Sequence, residues 1–155
     1  MGLREQFTAA LKEAMKASDR KRTGTLRLVL AALKDRDIAA RTAESREGIP
    51  DDEILSLLAK LVKQREDSIA LYEQGGRPEL AAAEREEIAV IREYLPKQMD
   101  EAEAKAAIAS VIAELGAASL KDMGKVMAAL KERFAGKMDF AKASAAVKEL
   151  LSAPK

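Results

Sequence analysis

The sequence predicts an all-α fold in which a four-helix amino-terminal lobe, residues 1–96, precedes a smaller three-helix carboxy-terminal lobe, residues 97–155. Three observations predict it. Apolar residues recur at helical spacing along the chain, and no segment of useful length alternates as a strand would. Charged residues and alanine are abundant while the aromatics are only Phe7, Tyr72, Tyr94, Phe134 and Phe140, a mixture that favours helices. Gly75-Gly76, Pro96, Gly116 and Gly136 then punctuate the periodic stretches. A chain of 155 residues can bury a sizeable core, as one domain or as a larger and a smaller lobe.

The elements follow in order. Leu3, Phe7, Leu11, Ala14 and Met15 form the stripe of a first helix that stops near Ser18-Asp19. Asp19 suits the cap of a second helix, with Leu26, Val29, Leu30, Leu33 and Ile38 as its stripe. Polar residues 41–48 make a loop ending in Gly48. Pro50 followed by Asp51, Asp52 and Glu53 marks a helix start, because proline suits the first turn and carboxylates favour the positive end of the dipole. This third helix runs to Gln74, where Gly75-Gly76 ends it. Pro78 opens a fourth helix through Ile88, Ile91 and Leu95, and Pro96 forces its end, since the residue before proline avoids the helical region. Asp100 with Glu103 caps a fifth helix terminated by Gly116. Ser119 with Asp122 repeats that device for a sixth, ending near Gly136, and Asp139 caps a seventh that carries Phe140, Val147, Leu150 and Leu151.

One charge falls where an apolar residue is expected. At about 100° per residue, Ile54, Leu58, Leu61, Val62, Ile69 and Tyr72 share a face, and Arg65 lies near its centre. If helices three and four form an antiparallel hairpin about Gly75-Gly76, Arg65 lies level with Glu87, with Glu84 one turn away. The expected structural ion pair is Arg65 with Glu87 or Glu84, in that order, because an unpaired charge there costs several kcal/mol.

Composition excludes several chemistries. Without cysteine there are no disulfides, thiolate metal sites or cysteine nucleophiles, and without histidine the commonest general base and metal ligand are missing. The carboxylate clusters Asp51-Asp52-Glu53, Glu86-Glu87 and Asp100, Glu101, Glu103 lie mostly in first turns, where acids are expected on electrostatic grounds, so neither a metal nor another cofactor is assigned. No catalytic residue can be named. The amino terminus shows no apolar stretch of signal-peptide length, and Leu28–Leu33 is too short to cross a bilayer, so a cytoplasmic protein with no membrane partner is the expectation. Gly2 is followed by Gln6 where a myristoylation motif wants Ser or Thr.

The net charge of +1 hides a segregation. Residues 1–41 hold ten Lys/Arg against five Asp/Glu, a net of +5; residues 121–155 hold eight against four, a net of +4; residues 42–120 hold nine against seventeen, a net of −8. Basic ends can meet a polyanion. Gly124-Lys125 stands inside the sixth helix, where glycine costs about 0.5 to 1 kcal/mol relative to alanine, which suggests close approach by another backbone or a ligand. A phosphate loop does not fit, since the preceding glycine, Gly116, is eight positions back and Val126 replaces the Ser or Thr that would meet magnesium. What remains is a basic surface of Lys121, Lys125, Lys131, Arg133, Lys137 and Lys142 around Gly124, with amides around the helix start able to donate to phosphate oxygens. The competing reading makes Gly124 a place of tight helix crossing and Met123, Val126 and Met127 core.

Four blocks carry a resemblance: Lys63-Gln64-Arg65-Glu66-Asp67-Ser68, Tyr94-Leu95-Pro96-Lys97-Gln98, Asp122-Met123-Gly124-Lys125-Val126-Met127 and Gly136-Lys137-Met138-Asp139. Together they resemble the GatB/YqeY family over essentially the whole chain, most of all its freestanding YqeY-type members. The resemblance implies an all-helical fold with a larger and a smaller lobe. The same module resembles the tail of the tRNA-dependent amidotransferase B subunit and an appendage on some glutaminyl-tRNA synthetases, where it is associated with gripping tRNA. It brings no active site, and a label of carbon–nitrogen ligase using glutamine would describe the larger fusion. The expected function is thus a noncatalytic RNA-binding module for tRNA, helped by Arg20, Lys21 and Arg22. The alternative is an adapter docking on an amidotransferase or aminoacyl-tRNA synthetase, and the third reading is an accessory to a glutamine-dependent ligase.

Overall fold

The computed structural model describes residues 2–45 and 47–152; Met1, Arg46 and residues 153–155, which the sequence reading placed at the chain ends and in the 41–48 loop, lie outside the described residues. Among the described residues there are seven α-helices and no strand: α1 Leu3–Lys16, α2 Arg20–Ala39, α3 Asp51–Gln74, α4 Pro78–Arg92, α5 Glu101–Leu115, α6 Met123–Phe134 and α7 Phe140–Ser152, with a 3₁₀ turn at Leu120–Asp122. The chain divides into two compact units, Met1–Leu95 and Pro96–Lys155.

Local chemistry starts and stops these helices. Asp19 accepts from the Arg22 amide at 3.0 Å and Asp100 from the Glu103 amide at 2.7 Å, each satisfying an orphan donor of the first turn. Gly76 and Gly116 take left-handed φ of 71° and 65° after α3 and α5, where a Cβ would be strained. Pro50 caps α3 from outside, whereas Pro78 occupies the first turn of α4. The fourth helix ends at Arg92, earlier than its apolar pattern, because the chain tightens: the amides of Glu93, Tyr94 and Leu95 bond carbonyls three residues back at 3.1–3.2 Å.

In the amino-terminal unit α3 and α4 form a hairpin, and α2 packs on both α1 and α4. Phe7, Leu26, Ile54 and Leu58 are fully buried there. Two expected core residues turn outward: Met15 is 51% and Ile38 47% exposed. Ala14 takes the inward place at the end of α1, and α2 buries Leu26, Val29 and Leu33, a stripe that has rotated past Ile38 by the last turn.

The hairpin carries the Arg65 pair. Arg65 Nε donates to Glu87 Oε2 at 2.7 Å and lies 3.9 Å from Glu84 Oε2, while Nη1 donates to the Leu61 carbonyl at 3.1 Å; the arginine side chain is 14% exposed. Burial first, then the charge of Glu87, pushes the Glu84 carboxyl above its usual range, against the pull of Arg65. A raised folded-state pKa stabilises fully below the unfolded value and loses that contribution as pH rises through the folded one. Glu84→Gln is therefore expected to stabilise the protein at pH 7 by less than about 1 kcal/mol and to leave it unchanged near pH 4, a pattern that urea unfolding at the two pH values checks.

Another clamp fixes the loop before α3. The Asp37 carboxylate is paired with the Arg4 guanidinium, and its Oδ1 accepts from the Ile49 amide at 2.8 Å. Burial would raise its pKa, but these bonds and the charges of Arg4 and Arg41 hold it below the usual value. A Cβ at Gly48 would collide with the Arg4 guanidinium and displace it from Asp37.

In the carboxy-terminal unit α5, α6 and α7 pack mutually around Ile108, Val111, Val126, Leu130, Met138 and Val147.

Candidate nucleic-acid interface

The short 3₁₀ turn feeds directly into α6, so Gly124 is the second residue of that helix. Asp122 shapes the entry: its Oδ2 accepts from the amides of Ala118 at 3.0 Å and Ser119 at 3.4 Å. The Ala118 bond above all, joined by the Ser119 bond and the charges of Lys125 and Lys121, outweighs desolvation and holds the carboxyl below its ordinary value. The amides of Ala118 and Ser119, which precede the turn, are thus held by the chain's own acid.

Along α6 the inward side is Val126 and Leu130, both fully buried, with Met123, Met127 and Phe134 packed partly buried against the same core. The methionines are packing residues. At about 100° per residue, Gly124 and Ala128 make a bare strip on the opposite side, with Lys131 along one edge and Lys125 with Glu132 along the other; all five are exposed. Among the described residues, a Cβ built on Gly124 would meet no atom within 4 Å beyond its own turn, so the glycine serves no tight crossing with another helix of its unit. The two lysines are separated by about 9 Å along the axis.

The predicted basic residues do not all converge. Lys121 and Lys125 share the neighbourhood of Asp122. Lys121, Lys125, Lys131 and Lys142 are exposed and form no ion pair among the described residues, with Lys142 carried on α7 rather than α6. Lys137 is half-buried in the connection between α6 and α7. Arg133 is gripped by Glu114 of α5 through two bonds, Nη1 to Oε2 at 2.6 Å and Nη2 to Oε1 at 3.0 Å, so its fork is already filled. In the other unit Lys21 and Arg22 are likewise engaged, with Glu86 at 3.0 Å and Glu93 at 2.6 Å, whereas Arg20 is exposed and unpaired among the described residues. Among the described residues no group of three or more His, Cys, Asp or Glu is placed to hold a metal ion.

Sequence reasoning missed how the motif blocks fasten each unit internally. Gln98 Nε2 donates to the Gly136 carbonyl, and the Met99 amide donates to the Lys137 carbonyl at 2.9 Å, so the residues leading into α5 are stitched to the α6–α7 connection. Gly136 is buried with φ 74°. Tyr94, in the same block as Gln98, packs its ring edge-on to Phe7 with centroids 5.0 Å apart. All four blocks thus carry structural work, the fourth through Asp122 and Val126, while the exposed Gly124 makes no close contact among the described residues.

The family model described as Yqey-like protein matches residues 4–151. The chain belongs to the YqeY-like family. Curated relatives of this YqeY-like chain are yeast proteins named Altered inheritance of mitochondria protein 41, mitochondrial. The one from Lachancea thermotolerans is 35% identical over 68% of this chain and 55% of its own length. Those from Vanderwaltozyma polyspora and Kluyveromyces lactis are each 34% identical, over 55% and 54% of this chain and 44% and 43% of theirs. The chain spans about half the length of the curated relatives it matches.

These names overturn the expectation of a cytoplasmic protein, because each of the three relatives is designated mitochondrial. The physical reason is that the expectation rested on a missing apolar leader, whereas mitochondrial transit peptides are amphipathic and basic and leave no apolar signal to find. Among the described residues no helix is long and apolar enough to cross a membrane.

Proposed function

We propose that this YqeY-like chain is a noncatalytic RNA-binding module that takes tRNA against the exposed face of α6. The observation that carries the reading is the bare Gly124–Ala128 strip, open to solvent and edged by the unpaired Lys125 and Lys131. A strip with no side chain at Gly124 and only a methyl at Ala128 lets a sugar-phosphate backbone come close, and the flanking ammonium groups supply the counter-charge. A folded RNA, read by shape and phosphate contacts, suits a helical surface without stacking aromatics. The resemblance to the amidotransferase tail points to the same ligand.

The test is binding of fluorescently labelled tRNA to the full chain, with salt varied. Lys125→Glu is expected to weaken binding about tenfold and to reduce the salt slope by about one. Gly124→Ala separates the two roles of this position. Helix propensity makes the variant more stable by about 0.5 to 1 kcal/mol, while the added methyl obstructs the strip and weakens RNA binding. Tight binding indifferent to both substitutions and to salt would overturn the proposal.

A further inference from the structure

We infer that the outward face of α2 is a docking seam for an amphipathic helix of another protein whose flanks are acidic. The seam is on α2, whereas the strip proposed for RNA is on α6, and the inference does not rest on that reading; of the residues expected to help RNA, Arg20 borders the seam.

Helix α2 is apolar on two sides. Leu26, Val29 and Leu33 enter the core, while Gly24, Leu28, Ala31, Asp35 and Ile38 face away from it in steps of four, three, four and three. That mean spacing of about 3.5 residues is the repeat of a helix that receives another helix along its length. Leu28 is 49% and Ile38 47% exposed, and nothing lies within 4 Å of a Cβ at Gly24. Beside the seam run Arg20, Arg27 and Lys34 at seven-residue intervals, all exposed and without an ion pair among the described residues. Their neighbours Lys21 and Arg22 are satisfied by Glu86 and Glu93 of α4.

Charge complementarity selects the occupant. In heptad terms Arg27 and Lys34 immediately precede the core positions Leu28 and Asp35, where a partner's flanking carboxylates would meet them. A second copy is a poor match: antiparallel, it brings the cationic row against itself, and parallel, it offers Thr25 and Ala32. RNA gains nothing from the apolar residues between the charges. Asp35 interrupts the seam at one core position, which calls for a Lys or Arg there in the partner and fixes the register.

Two synthetic four-heptad peptides test this on the full chain by fluorescence anisotropy. Both carry Leu and Ile at the core positions and one Lys to meet Asp35, with Glu along the flanks of one and Lys along the flanks of the other. The Glu-flanked peptide is expected to bind at least about tenfold tighter than the Lys-flanked one. Arg27→Glu with Lys34→Glu is expected to reverse the preference, and Leu28→Asp to abolish binding. Helical content and tRNA binding should be unchanged in these variants, since the substituted side chains are exposed on α2. Equal binding of the peptides, no binding of either, or indifference to Leu28→Asp would overturn the inference. So would self-association removed by Leu28→Asp, which makes the occupant a second copy, or tRNA binding lost on reversing Arg27 and Lys34, which makes the face a nucleic-acid surface.

Discussion

Phe7→Ala is expected to destabilise the amino-terminal unit by about 3 to 5 kcal/mol, the largest single effect in the molecule. The side chain is completely buried in the cluster that includes Leu3, Val29, Leu33 and Ile91, and its ring meets Tyr94 at 79°. Truncation removes the transfer free energy of the ring, leaves a cavity that the surrounding helices fill only in part, and forfeits an aromatic pair worth about 0.5 to 1.5 kcal/mol beyond its area. A loss of that size is comparable to the whole stability of many domains, about 5 to 15 kcal/mol. The chain supplies its own reporter: it has no tryptophan, and Tyr72 and Tyr94 both lie in this unit. Tyrosine fluorescence during urea unfolding should show the early transition, while hydrogen exchange in α5, α6 and α7 stays as in the parent. A deficit under about 1 kcal/mol would mean that α1 is an accessory to the unit rather than a wall of its core.

Arg65→Ala ranks next, with an expected cost of about 2 to 4 kcal/mol at pH 7. Its removal leaves Glu87 and Glu84 facing one another in the seam between α3 and α4, and leaves the Leu61 carbonyl without its side-chain donor. The penalty belongs to the uncompensated carboxylates more than to the lost attraction, so it should respond to acid. The Glu84 carboxyl, already held above its usual range by burial and by the charge of Glu87, would lose the opposing pull of Arg65 and take up a proton more readily still, which makes stability rise, relative to the parent, as pH falls. Unfolding measured at pH 7 and pH 4.5 should show the deficit shrinking. Glu84→Gln in the Arg65→Ala background should recover part of it at pH 7. A deficit independent of pH would assign the loss to packing of the arginine stem instead.

Features governed by neighbours along the chain were legible in the sequence. Asp19 and Asp100 announce caps because the bond they make spans three residues, and Gly76 and Gly116 announce stops because their backbone angles are costly for other residues. Arg65 was legible because a charge at the centre of an apolar stripe must find an acid, and a tight hairpin leaves few candidates. The outward turn of Met15 and Ile38 was not, since a periodic pattern shows that a helix has an apolar side without fixing which neighbour ends where. The Arg4–Asp37–Ile49 clamp and the Gln98–Gly136 bond join residues far apart in sequence and left no local signal. At the candidate interface the sequence supplied the cations and the glycine, but not their division. Arg133 looked like its neighbours until Glu114, nineteen positions earlier, came alongside. Asp122 announced its bond back to Ser119 as part of a cap, but its additional bond to the Ala118 amide was not legible.

The Asp37 clamp has a consequence for how this polypeptide tolerates being cut. Asp37 and its Arg4 partner both precede the 41–48 connection, while the Ile49 amide it holds follows it, and α2 also packs on α4 across the same gap. Scission within that connection therefore severs a covalent link without dissolving the docking of the first two helices on the next two. The pieces should co-purify and, expressed separately, should find each other and reconstitute, which makes this connection the natural place for a split reporter.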